Sequence, residues 1–81
     1  MSENESLLLK AFSEGLGVPE SRIADVLTYN SIPEWDSVAH MVLISSIEEK
    51  FGIMLDTNEI LDLSSVAQAR KIVSKHGVVF S

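Results

Sequence analysis

The sequence predicts an all-α fold: a four-helix bundle of three longer helices and one short one, with a long loop between helices 1 and 2. Three observations carry this prediction. Apolar residues recur at steps of three and four through separate stretches, the period of a helix with one buried face. Residues that accept hydrogen bonds from free backbone N–H groups stand where those stretches begin. Only two prolines and four glycines interrupt 81 residues, too few for a turn-rich β fold. The chain is read as a single domain over residues 1–81, with its core at about 3–77. At 46% hydrophobic residues it can bury a modest core. The aromatics are few (Phe12, Tyr29, Trp35, Phe51 and Phe80), so that core must be mainly aliphatic.

The first helix is expected from about Glu3 to Glu14. Ser2 and Glu5 have the S-x-x-E form of a capping box, and Leu8, Leu9, Phe12 and Leu16 would form the buried side. Gly15 and Gly17 are expected to stop it. Residues 17–35 then form a connection longer than bundle helices usually need. Such a loop must be held by its own side chains, and Ile23, Val26, Leu27, Tyr29, Ile32 and Trp35 are spaced to hold it. A short helical turn is expected at about Pro19 to Asp25, with Pro19 at its first position. The second helix is the clearest element, from Ser37 to about Phe51, with Asp36 as N-cap and Gly52 as its end. Leu43, Ile44, Ile47 and Phe51 fall within one arc of about 100° and face the core. A short third helix is expected at Thr57 to Leu61, with a capping-box start from Asp56 and Glu59. The fourth runs from about Ser65 to His76, capped by Ser64 or Ser65. Its apolar side is Val66, Ala69, Ile72 and Val73, and Arg70, Lys71, Lys75 and His76 lie toward its C-terminus, where the helix dipole favours cations. Gly77 closes it, and the tail Val78 to Ser81 either folds back or frays.

Composition excludes several functions. Without cysteine there is no disulfide and no thiolate metal site, so any thiol chemistry must come from an attached group. No apolar run approaches the roughly 18 residues of a membrane helix, and the acidic start does not read as a signal peptide. A cytoplasmic location and a monomer are the expectations. The net charge of −6 argues against nucleic acid. Residues 34–62 hold all of that excess: Glu34, Asp36, Glu48, Glu49, Asp56, Glu59 and Asp62 against Lys50 alone. Such a face is either an ordinary solvated surface or one that steers basic partners.

The segment Glu34-Trp35-Asp36-Ser37-Val38 closes the loop and opens the second helix. With Asp36 as cap, Ser37 is the first helical residue, its hydroxyl beside free N–H groups. A phosphodiester formed there would sit at the positive end of the helix dipole. Here the sequence resembles a known family. Asp36-Ser37-Val38 looks like the Asp-Ser-Leu attachment motif of acyl carrier proteins. Ile47-Glu48-Glu49-Lys50-Phe51-Gly52-Ile53 is similar to the end of that family's second helix, Asp56 and the short helix match next, and Ser65-Val66 resembles the start of its last helix. The resemblance spans roughly residues 5–77. It implies that a phosphopantetheinyl transferase, using its own magnesium, moves 4′-phosphopantetheine from coenzyme A onto Ser37, with Asp36 part of the attachment motif. The arm's thiol would carry an acyl group as a thioester, and the chain itself would catalyse nothing.

The stripe Val38, Val42, Ser45 and Glu49, flanked by Met41 and Glu48, is the expected docking surface for acyl-loading and acyl-transfer enzymes with basic or apolar patches. Fatty-acid carriers that it resembles usually bear an acid at the position of Val42. Val42 therefore either suits a more apolar partner or packs against the third helix. His40 lies near the core arc and has no second His or Cys beside it in sequence, so it reads as a packing or capping residue. In this family the interior can sheath an acyl chain, and Ile44, Ile47, Ile60, Leu61 and Val66 are candidate lining residues. The pathways implied are polyketide, specialised lipid or fatty-acid synthesis. A peptidyl or aminoacyl carrier is the near alternative, though Pro33-Glu34-Trp35 lacks the glycines such carriers often show before the serine. A helical adaptor that carries no cofactor is the alternative of a different class.

Overall fold

The computed structural model describes residues 3–80. Four α-helices follow one another: α1 (Glu3–Leu16), α2 (Ser37–Phe51), α3 (Thr57–Asp62) and α4 (Val66–Ser74). No strand occurs among the described residues, only an isolated antiparallel bridge between Thr28 and Ser65. The Ser2–Glu5 capping box involves Ser2, which lies outside the described residues.

The boundaries follow from local chemistry. Asp36 is extended and its Oδ1 accepts the Ala39 N–H at 2.8 Å, so α2 starts at Ser37. Gly52 ends it in the left-handed region, at φ 63°. At α3 both halves of the capping box form: Asp56 Oδ1 accepts from Glu59 N, and Glu59 Oε1 accepts from Asp56 N. Ser65, not Ser64, caps α4 by accepting from Gln68 N. Two boundaries differ from expectation. Helix α1 continues through Gly15 to Leu16, and it is Gly17, at φ 69°, that ends it. Helix α4 stops at Ser74, with His76 beyond it in the closing turn.

Gly15 stays helical because it is a contact rather than a stop. A Cβ there would stand 2.6 Å from Leu43 Cα, so the absent side chain lets α1 and α2 approach backbone to backbone. Around this crossing lies one core: Leu8, Ala11, Phe12 and Leu16 from α1, Leu43, Ile44 and Ile47 from α2, and Val66, Ala69, Ile72 and Val73 from α4. Loop residues Val18, Ile23, Trp35, Leu55 and Leu63 complete it. Trp35 is fully buried, with Phe12 edge-on at 5.4 Å. Full burial of each such side chain contributes about 1.5–3 kcal/mol.

The connection from α1 to α2 holds a single 3₁₀ turn, Glu20–Arg22, and Pro19 precedes it rather than opening it. Ile23 and Trp35 anchor the segment as expected, but Val26 is 86% exposed and anchors nothing. Main-chain bonds do that work instead: Tyr29 N–H donates to Ser64 O at 2.8 Å, and Val66 N–H donates to Leu27 O at 3.1 Å. Arg70 adds a side-chain tie by donating to both Glu5 on α1 and Asp25 in the loop. Because α4 ends at Ser74, Arg70 lies in mid-helix rather than in the last turn, and these two carboxylates, not the helix dipole, are its partners. The tail folds back: Asn4 donates to Val79 O, and the Phe80 ring meets Phe51 at 6.1 Å.

Candidate functional site

Ser37 is exposed at the first position of α2. Asp36 supplies the acceptors for the third and fourth N–H groups of α2, Oδ1 for Ala39 N–H and its carbonyl for His40 N–H at 2.9 Å. The Ser37 and Val38 N–H groups have no partner within the helix. They point out of a fifteen-residue helix at its positive end, beside the hydroxyl. The role of Asp36 here is to fix where the helix starts, and thereby where that hydroxyl stands.

Ser37 also stands on the rim of a half-open groove of about 410 Å³ between α2 and α3. Met41, Ile60, Leu61 and Leu63 give it apolar walls, and no charged side chain lines it. Tyr29 and Ser64, adjoining across the bridge between loop and α4, also border it. Of the lining residues expected from sequence, Ile60 and Leu61 border this groove. Ile44, Ile47 and Val66 are buried core residues that do not. Tyr29, Leu63 and Ser64 had no signal in the sequence, because only the fold brings them to Ser37.

His40 also lines the groove and is engaged on both ring nitrogens. Trp35 Nε1–H donates to His40 Nδ1 at 3.0 Å, and His40 Nε2 lies 2.9 Å from the Ile60 carbonyl oxygen. An acceptor at Nδ1 places the proton on Nε2, so the ring is neutral and donates to Ile60. This is the packing role expected for His40, with the addition that it ties α2 to α3. His76 also reaches α3, its Nε2 lying 3.0 Å from Glu59 Oε2. Among the described residues no group of three or more His, Cys, Asp or Glu could hold a metal ion. No helix there is long and apolar enough to cross a membrane.

The expected docking stripe divides in two. Val38 is 73% exposed, and Met41 and Val42 are about half exposed, at 54% and 49%. Met41 and Leu61, the latter 74% exposed, line the groove with Ser37, and Val38 and Val42 extend this apolar collar along α2 outside the groove. Ser45 and Glu49 are exposed further along α2. Glu48 is different: its Oε2 accepts the Leu55 N–H at 2.9 Å, so its carboxylate holds the turn that follows α2. Lys50 pairs with Glu14 on α1. At the loop end, the hydrogen bond from Arg22 holds the exposed Glu34 carboxyl below its ordinary range, and Glu34 in turn raises the Arg22 guanidinium.

The residues fit a phosphodiester-linked arm on three counts: an exposed hydroxyl, unpartnered N–H groups beside it, and an apolar groove starting at the same residue. The chain matches no protein-family model and no curated protein sequence.

Proposed function

We propose that this chain is an acyl carrier protein, a non-enzymatic domain that holds acyl intermediates as thioesters on 4′-phosphopantetheine attached to Ser37. The observation that carries the reading is the coincidence at one residue of an accessible hydroxyl, an open helix N-terminus and the mouth of an apolar groove. The helix start would offset part of the phosphodiester charge. The four helices and the long first connection suit the bundle of a carrier domain. The apolar collar of Val38, Met41 and Val42 favours partners that present an apolar contact beside any basic one, in polyketide, specialised lipid or fatty-acid synthesis. Because the groove has no charged lining residue, an uncharged acyl cargo suits it better than an aminoacyl one, whose ammonium would lose hydration there without gaining a partner.

Intact mass spectrometry after incubation with coenzyme A and a broad-specificity phosphopantetheinyl transferase tests this. The wild type should gain a single arm and Ser37→Ala none. A wild type that gains nothing would leave a helical adaptor as the better reading.

A further inference from the structure

We propose that His40 sets the depth of the groove, acting as an end wall that limits how long a chain can be buried there. That the buried chain is an acyl cargo rests on the carrier reading; the geometric claim does not.

From the groove inward the order of side chains is His40, then Trp35, then Phe12. His40 borders the groove, whereas Trp35 is fully buried and does not, although its indole N–H meets the imidazole. Phe12 lies edge-on behind Trp35. The imidazole therefore stands between the groove and the buried indole that it bonds. The ring is also pinned. Turning it aside would strip the buried indole N–H of its acceptor and the Ile60 carbonyl of its donor. Tyr29 stands edge-on to His40 at 5.3 Å and to Trp35 at 6.3 Å, packing against the same pair of rings. The bond to Ile60 also fixes the spacing of the two walls. Helix α3 has only six residues and buries none of them, so its hold on α2 relies on such ties. A chain entering beside Ser37 thus meets a ring whose two nitrogens are already engaged. Cargo that fits is apolar, uncharged at its far end, and short enough to end before His40.

The sequence has no cysteine, so Ser37→Cys supplies a unique thiol at the groove mouth. Alkyl methanethiosulfonates from ethyl to dodecyl would place chains of graded length there as mixed disulfides, releasing methanesulfinate, with no transferase involved. The outcome is thus independent of whether Ser37 accepts a pantetheinyl arm. In Ser37→Cys the melting temperature should climb with each added carbon and then stop climbing within the series. In Ser37→Cys/His40→Ala the break should move out by about two carbons, the length that fills the space of the lost ring. Ser37→Cys/His40→Asn, which shortens the side chain but keeps an acceptor for Trp35, should move it less, and serves if the alanine variant does not fold. An unbroken climb to dodecyl, the absence of any climb, or the same break with and without His40 would overturn the proposal.

Discussion

Replacing Gly15 with alanine tests the contact on which the placement of α2, and so of Ser37, depends. Inside a helix this change ordinarily stabilises by about 1 kcal/mol, because glycine loses more backbone freedom on folding. At Gly15 the sign should reverse. The new Cβ would stand 2.6 Å from Leu43 Cα and 3.0 Å from Leu43 N and Cβ. Two of those three atoms are backbone atoms of the facing helix and cannot rotate away. Since carbon atoms pack best at about 3.5–4.0 Å, the two axes must part by roughly 1 Å. Overpacking of this kind costs about 1–3 kcal/mol. The upper end applies, because parting the helices also loosens Phe12, Leu43 and Ile47, all of them fully buried. Less the gain in helix propensity, a net loss of about 2 kcal/mol remains, which for a domain of this size lowers the melting temperature by roughly 8–16 °C. Thermal unfolding followed by circular dichroism reads this directly. Gly17→Ala is the control: nothing lies within 4 Å of its Cβ, and its left-handed backbone at φ 69° accounts for a smaller loss of about 1–2 kcal/mol. A Gly15→Ala protein as stable as the wild type, or more so, would refute the account of the α1–α2 crossing.

Three further outcomes are expected. Arg70→Met should lower stability by about 1–2 kcal/mol in urea unfolding, because α4 would lose its donor to both Glu5 and Asp25; an unchanged midpoint would show that the ties contribute nothing. Glu49→Lys combined with Asp62→Lys should slow modification of Ser37 while leaving the melting temperature nearly unchanged, and added salt should slow the wild type; equal rates throughout would remove the steering claim. Glu48 is left out of that test because its carboxylate holds the Leu55 N–H. The Glu34 carboxyl is depressed in the fold by Arg22, so its contribution is complete above the ordinary carboxylate range and is lost as pH falls through the lower, folded value. The difference in melting temperature between wild type and Glu34→Gln should therefore be constant near neutral pH and vanish in acid, and a difference that persists or grows in acid would contradict the pairing.

What the sequence revealed and what it hid divide along a physical line. Features written in neighbouring residues were legible. Asp36 and Gly52 bracket α2 with a capping acceptor and a left-handed end, the Asp56–Glu59 pair marks α3, and the spacing of Leu43, Ile44 and Ile47 gave the buried face. The exposed position of Ser37 follows from the same cap. Features that depend on which elements meet were not legible. Gly15 reads as a stop until α2 is seen against it. The loop is held by Ile23, Leu27, Ile32 and Trp35 as expected, but Val26 stays exposed, and the main-chain bonds that add to those anchors leave no trace in residue type. Glu48 reads as a surface charge until the Leu55 amide is seen beneath it. The groove joins Tyr29, Ser64 and Leu63 to Ser37 across three separate segments, and the ties of His40 to Trp35 and Ile60 appear only once those segments are folded together.

We propose that a single hydroxyl, that of Ser37, receives the arm. Fragmentation mass spectrometry of the transferase-treated protein checks this by assigning the adduct to a residue. A phosphopantetheinyl group on the peptide containing Ser37, with Ser31, Ser45, Ser64 and Ser65 unmodified, is the predicted result. An arm on any other serine, or a fully treated protein that carries none, would contradict it.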